Sequence, residues 1–260
     1  MLRKLMKYEF KATGRVFLPL LAALLFLSLV NKLLSYLPVE APQVIGTVIS
    51  VILMVGIMVL TFVITLQRFR NNLLSNEGHL MMTLPVKTDC IILSKMFVAA
   101  IWSVVSALVV IISIVIIAVS EISLSDIIEF FRYIGGLIRV SPAATVAYTI
   151  EAIIGLALTL FAGILLLYAC MSLSMLVNKR RGLFTFGAFI VITTAVQVVS
   201  TALIAIGAVL GVNGWLNSSS ISLFWQIQLV VIVLLLLEAV MCAVFFFITR
   251  HMLKNRLNLQ

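Results

Sequence analysis

The chain has 260 residues, 63% of them hydrophobic and only 10% charged, with a mean hydropathy of +1.27. Soluble domains are about half apolar, so this excess excludes an ordinary soluble fold. The net charge of +9 would suit nucleic acid, but the cations stand at the ends of long apolar runs. That placement directs them to a membrane surface and leaves no nucleic acid among the expected partners.

Apolar runs of 18 residues or more are long enough to cross a bilayer as helices. Six such spans are predicted, at residues 16–37, 44–66, 91–119, 145–177, 183–211 and 223–249. A β-barrel would show short segments of alternating polarity, and that alternation is absent. The predicted fold is an all-α membrane protein with six transmembrane helices. Fifteen of the eighteen basic residues fall on one side of this arrangement, leaving only Lys32, Arg132 and Arg139 on the other. The positive-inside rule then makes both termini cytoplasmic.

Residues 1–15 are expected to form an amphipathic helix on the cytoplasmic face. Leu2, Leu5, Met6 and Phe10 share one arc, while Arg3, Lys4, Lys7 and Lys11 share the other and face anionic lipid. The same cations also serve as a positive-inside anchor for the first span.

Residues 67–95 form a polar, mixed-charge insert between the second and third spans. Helical character is expected from Asn71 to Met82, and Pro85 ends it because proline cannot continue the hydrogen-bond ladder. Leu73, Leu74, Leu80 and Leu84 make an apolar ridge with Arg70 and Glu77 beside it. Such a helix fits a groove on another protein or lies flat on lipid, and physics alone leaves both open.

On the outside, residues 120–142 repeat apolar side chains at helical spacing. Ser123 with Asp126 resembles a capping box, and Gly135-Gly136 is expected to bend or break the element. A short interfacial helix is predicted rather than a folded external domain. Between residues 183 and 237 no charge occurs at all, so the break before the sixth span must come from the Gly-, Asn- and Ser-rich stretch at 211–220. A re-entrant outer end of span five is compatible with that composition. Gly207-x-x-x-Gly211 permits close helix approach. Trp102, Trp215 and Trp225 are expected at the interfaces as anchors.

Two acids lie within predicted spans. Glu151 is near the outer boundary, but Glu238 is twelve residues before Arg250, about 18 Å along a helix and so close to the midplane. A charge there costs roughly 2.5–3.5 kcal/mol on insertion scales. Glu238 is therefore expected to face a transport path or subunit interface, or to be a neutral structural acid.

Several chemistries are missing. None of the thirteen glycines precedes a lysine, which removes the phosphate-cradling loop G-x-x-x-x-G-K-[ST]. With His79 and His251 as its only histidines and no G-x-S-x-G, the chain carries neither a zincin motif nor a serine-hydrolase elbow. Cys90, Cys170 and Cys242 have no metal-like spacing. No enzyme activity, metal or cofactor is expected in this chain.

Glu77, Thr83-Leu84-Pro85-Val86 and Ser94-Lys95 resemble the loop between the second and third helices of type-two ABC exporter permeases. The opening Lys7-Tyr-Glu-Phe-Lys11 and Phe17-Leu-Pro19 look like the N-termini of such permeases in Gram-positive bacteria. The resemblance implies a connecting helix at the N-terminus and a coupling helix in the insert. Arg70, Leu73, Leu74, Glu77, Leu80, Leu84 and Pro85 would then meet a separate ATP-binding subunit that holds ATP and Mg. It also implies a second permease, identical or homologous, and a bacterial plasma membrane. Two other classes remain: an ion-coupled secondary transporter centred on Glu238, and a sensor or scaffold that moves nothing.

Overall fold

The computed structural model describes residues 2–36, 40–73, 88–118, 125, 128–129, 131–133, 135–136, 142–177, 180–210 and 223–255. Its long helices are α1 (Leu2–Leu34), α2 (Glu40–Leu73), α3 (Thr88–Ala118), α4 (Pro142–Leu173), α5 (Arg181–Leu210) and α6 (Leu223–Asn255). No strand occurs among the described residues. All six helices are long and apolar enough to cross a membrane, so the chain is a multi-pass membrane protein. It divides into two compact units, Met1–Pro142 and Ala143–Gln260.

In the first unit α1 packs along α3, and α2 closes on both. Lipid is as apolar as leucine, so burial alone does not drive such helices together; close packing and polar contacts must. Both are present. Phe17, Leu21, Leu24, Met54, Ile57, Val98, Trp102 and Val110 form one buried cluster. Trp102 is clasped between Phe10 and Phe17, with ring centroids 4.9 and 4.8 Å away. Gly14 makes room for it: a Cβ at Gly14 would stand 3.3 Å from the indole. Trp102 is thus turned inward rather than toward lipid: its ring fills the seam between α1 and α3, stacked on two aromatic faces, and its Nε1 is buried with no hydrogen-bond partner among the described residues. Trp225 is exposed, and Trp215 lies outside the described residues.

Small polar residues let the backbones approach. Ser28, Ser50, Ser106 and Ser113 are fully buried, and the hydroxyls of Thr61 and Ser106 meet across α2 and α3 at 3.2 Å. Asn31 of α1 donates from Nδ2 to Thr47 of α2 at 3.0 Å. At the preceding residue, a Cβ on Gly46 would fall 2.5 Å from Asn31 Oδ1.

Residues 2–15 do not form a helix separate from the first span. They run into it without a break, through Pro19, as α1. The missing Pro19 N–H costs little here because the helix is held from the side by α3. The predicted charged arc survives: Arg3, Lys4, Lys7 and Lys11 are exposed, and Met6 packs against the buried cluster.

The insert is shorter than its polarity implied. α2 continues to Leu73 and α3 begins at Thr88, because an amphipathic end can prolong a helix beyond its apolar window. Ser125, Ile128, Glu129, Phe131, Arg132, Tyr133, Gly135 and Gly136 are helical and mostly exposed. Ser123 and Asp126 lie outside the described residues.

The second unit holds α4, α5 and α6. The end of α4 is buried, with Ile164, Leu165, Tyr168 and Ala169 covered, and a 3₁₀ turn at Ser174–Leu176 follows it. Arg180 takes φ 57°, a left-handed value uncommon for a non-glycine residue, and its carbonyl accepts from the Phe184 N–H as α5 begins. At Gly155 of α4 a Cβ would stand 3.3 Å from the Leu235 side chain of α6. At Gly207 a Cβ meets nothing within 4 Å among the described residues. Gly211 lies outside the described residues.

Candidate functional site

Two places in the molecule concentrate chemistry. The first is the root of the insert, where α2 ends and α3 starts. Glu9 of α1 reaches both sides of that root. Its Oε1 accepts from Lys95 Nζ at 2.5 Å, and its Oε2 lies 3.3 Å from Arg68 Nη1. The Lys95 side chain is 3% exposed, that of Glu9 11% and that of Arg68 29%. A lysine so deeply buried needs a paired anion, because taking an isolated ammonium out of water costs several kcal/mol. One carboxylate therefore ties three helices at the level where the chain leaves for the insert and returns.

Of the residues assigned to the insert, Arg70 and Leu73 sit on the last turns of α2, and Arg70 is exposed. Leu74, Glu77, Leu80, Leu84 and Pro85 lie outside the described residues. Glu9 was missed as a site residue, although a signal was there: it is the one acid among five cations in the first fifteen residues.

The second place is a cavity of about 860 Å³ walled by α4, α5 and α6, entirely within the second unit. Glu238 lines it. Its Oε1 lies against the Thr159 hydroxyl, which also reaches the Gly155 carbonyl at 2.9 Å. Glu151 lines the same cavity two helical turns from Thr159. Gln228 Nε2 donates to Glu151 Oε1, while Glu151 Oε2 is buried with no hydrogen-bond partner among the described residues. Thr193, Gln197 and Ser200 add polar groups from α5. The rest of the wall is apolar, with Leu234, Leu235, Met241 and Phe245 from α6. No basic side chain lines the cavity among the described residues, and neither glutamate has an ion-pair partner there.

Sequence reasoning isolated Glu238 but not its surroundings. The cavity lies along stripes readable at helical spacing: Glu151, Gly155, Thr159 and Gly163 on α4, then Thr193, Gln197 and Ser200 on α5. Such stripes mark the face that an apolar helix turns away from lipid.

No protein-family model matches the chain, and neither do any curated protein or solved structure at a significant level. Function is therefore argued from geometry and residue chemistry.

Proposed function

We propose that this chain is the membrane-spanning subunit of a type-two ABC exporter in a bacterial plasma membrane. In this reading both termini are cytoplasmic, and the insert carries a coupling helix that docks into a separate ATP-binding subunit. That subunit holds ATP and Mg, and a second permease, identical or homologous, completes the complex. The cargo is an amphiphile such as an antimicrobial peptide, a drug or a lipid.

The observation that carries this reading is the shared carboxylate at the root of the insert. Glu9 joins Lys95 and Arg68, so α1, α2 and α3 are bound together where an outside load would enter. A push on the insert is then delivered to three helices as one body instead of bending the ends of two. The absent phosphate loop agrees with a motor on another chain. Glu77 and residues 83–86 and 94–95, together with 7–11 and 17–19, supply the resemblance, and two of these residues, Glu9 and Lys95, are the ones that meet.

Co-purification with an ATP-binding subunit tests it directly. Leu80→Asp or Leu84→Asp is expected to release that subunit and abolish membrane-stimulated ATP hydrolysis. Intact assembly and hydrolysis in both variants would sink the reading.

The cavity favours a second reading, an ion-coupled secondary transporter that loads at Glu238. It requires that Glu238→Gln stop flux while ATP depletion at fixed membrane potential leaves flux unchanged.

A further inference from the structure

We propose that the cavity of the second unit is a binding site for a lipophilic cation, with the positive centre held at Glu238 and the apolar body along Leu234, Leu235, Met241 and Phe245. Its volume of about 860 Å³ falls in the range of roughly 300–1,000 Å³ occupied by drug-sized ligands. Mostly apolar walls with a few convergent polar groups are the usual composition of such sites.

Charge selects among occupants. The ionisable groups that line the space are carboxylates, Glu151 and Glu238, with a tyrosine and without any arginine, lysine or histidine among the described residues. An acid at membrane depth carries an insertion cost that an arriving cation offsets. An anion meets repulsion from both carboxylates. A neutral acyl chain would cover the leucines and leave the carboxylates unmatched. Glu151 Oε2, buried with no partner among the described residues, is an acceptor still open about 12 Å from the level of Glu238, at eight residues along α4. A ligand with a second positive group spaced by that distance would engage both.

The inference rests on the transport reading only in treating the ligand as cargo; binding itself needs no motor. It is tested with tetraphenylphosphonium and tetraphenylborate, ions of like shape and opposite charge. Each is titrated onto the full chain in phosphatidylcholine nanodiscs and bound ion is counted after equilibrium dialysis. Saturable binding of the phosphonium at least about tenfold tighter than the borate is expected, a difference of about 1.4 kcal/mol. Glu238→Gln should remove that preference, and Glu151→Gln should weaken binding by a smaller factor. Gly163→Phe should abolish binding with both carboxylates intact, because Gly163 lines the cavity and a Cβ there meets nothing within 4 Å. Equal affinity for the two ions overturns the proposal, as does undiminished binding in Gly163→Phe. Should Glu238→Gln fail to fold, Gly163→Phe and the cation-to-anion ratio still decide. Cation binding by the chain, together with partner assembly and ATP hydrolysis that survive both Leu80→Asp and Leu84→Asp, refutes the motor and leaves the cavity standing. Loss of the partner's ATP hydrolysis in those variants with neither ion bound by the chain does the reverse.

Discussion

The two units solve the same problem in opposite ways. In the first, 28%, 22% and 28% of the most apolar windows of α1, α2 and α3 are buried; in the second, α4 also buries 28% of its window, but α5 buries none and α6 only 6%. The first unit closes on itself through a ring stack, buried serines and a shared carboxylate. The second keeps its polar groups around an open space. Since apolar area gives no net drive between helices in lipid, the difference is one of specific contacts and not of hydrophobicity. In the proposed reading the first unit serves as the lever and the second receives the ligand.

The sharpest way to break this comparison is to remove the carboxylate that closes the first unit. Glu9→Ala leaves Lys95 buried with its anion gone, and breaking a buried pair in this way costs about 3–5 kcal/mol. Unfolding in mixed micelles should show that loss. Glu9→Leu with Lys95→Met should regain most of it, because two apolar groups replace a balanced pair. If the double variant is as unstable as the single one, the ion pair is not what holds α1 to α3.

Next in size is Trp102→Ala. A soluble core would lose both transfer and packing energy; here lipid removes most of the transfer part, so the loss should be nearer about 3 kcal/mol. Phe10→Ala and Phe17→Ala should each cost less and should be non-additive with Trp102→Ala, since all three rings form one stack.

Much of the architecture was legible in the sequence, because span length and apolar content are set by the bilayer itself. The six predicted spans match the six helices to within a few residues at most ends, the exceptions being those with amphipathic extensions at 2–15, 67–73 and 250–255. These extensions were misread for one reason: charge marks where a helix leaves lipid, not where it ends. Glu238 was found because an acid in an apolar run stands out. Glu9 and Trp102 were not, because their roles come from partners 86 residues away in the case of Lys95, and from ring packing across helices in the case of Trp102. No local pattern encodes those pairings. The cavity stripes were readable in principle, but small and hydroxyl residues in a membrane helix equally mark ordinary packing.

A smaller effect probes the α1–α2 contact. Gly46→Ala sets a methyl 2.5 Å from Asn31 Oδ1, and Asn31 cannot withdraw without stretching its bond to Thr47. Overpacking of this kind costs about 1–3 kcal/mol. Asn31→Ala should relieve it, so a double-mutant cycle in the same unfolding assay should report coupling of about 1 kcal/mol. Additive losses would mean that the two helices are not pressed together there.

The smallest expected effect asks what the second unit's bare helix meets. Among the described residues a methyl at Gly207 contacts nothing, and the residue is exposed on α5. Gly207→Ala should therefore act on helix propensity alone and stabilise the monomer by at most about 1 kcal/mol. The same substitution is measured in dilute detergent and again in bilayers at high protein density. A gain in detergent that persists in bilayers means that α5 faces lipid at this position. A gain that turns into a loss only when copies crowd together means another helix comes within backbone distance of Gly207, since a methyl matters there only if something stands close enough to feel it. A loss even in dilute detergent would contradict the open space around Gly207 and, with it, the contrast between a closed first unit and a receptive second one.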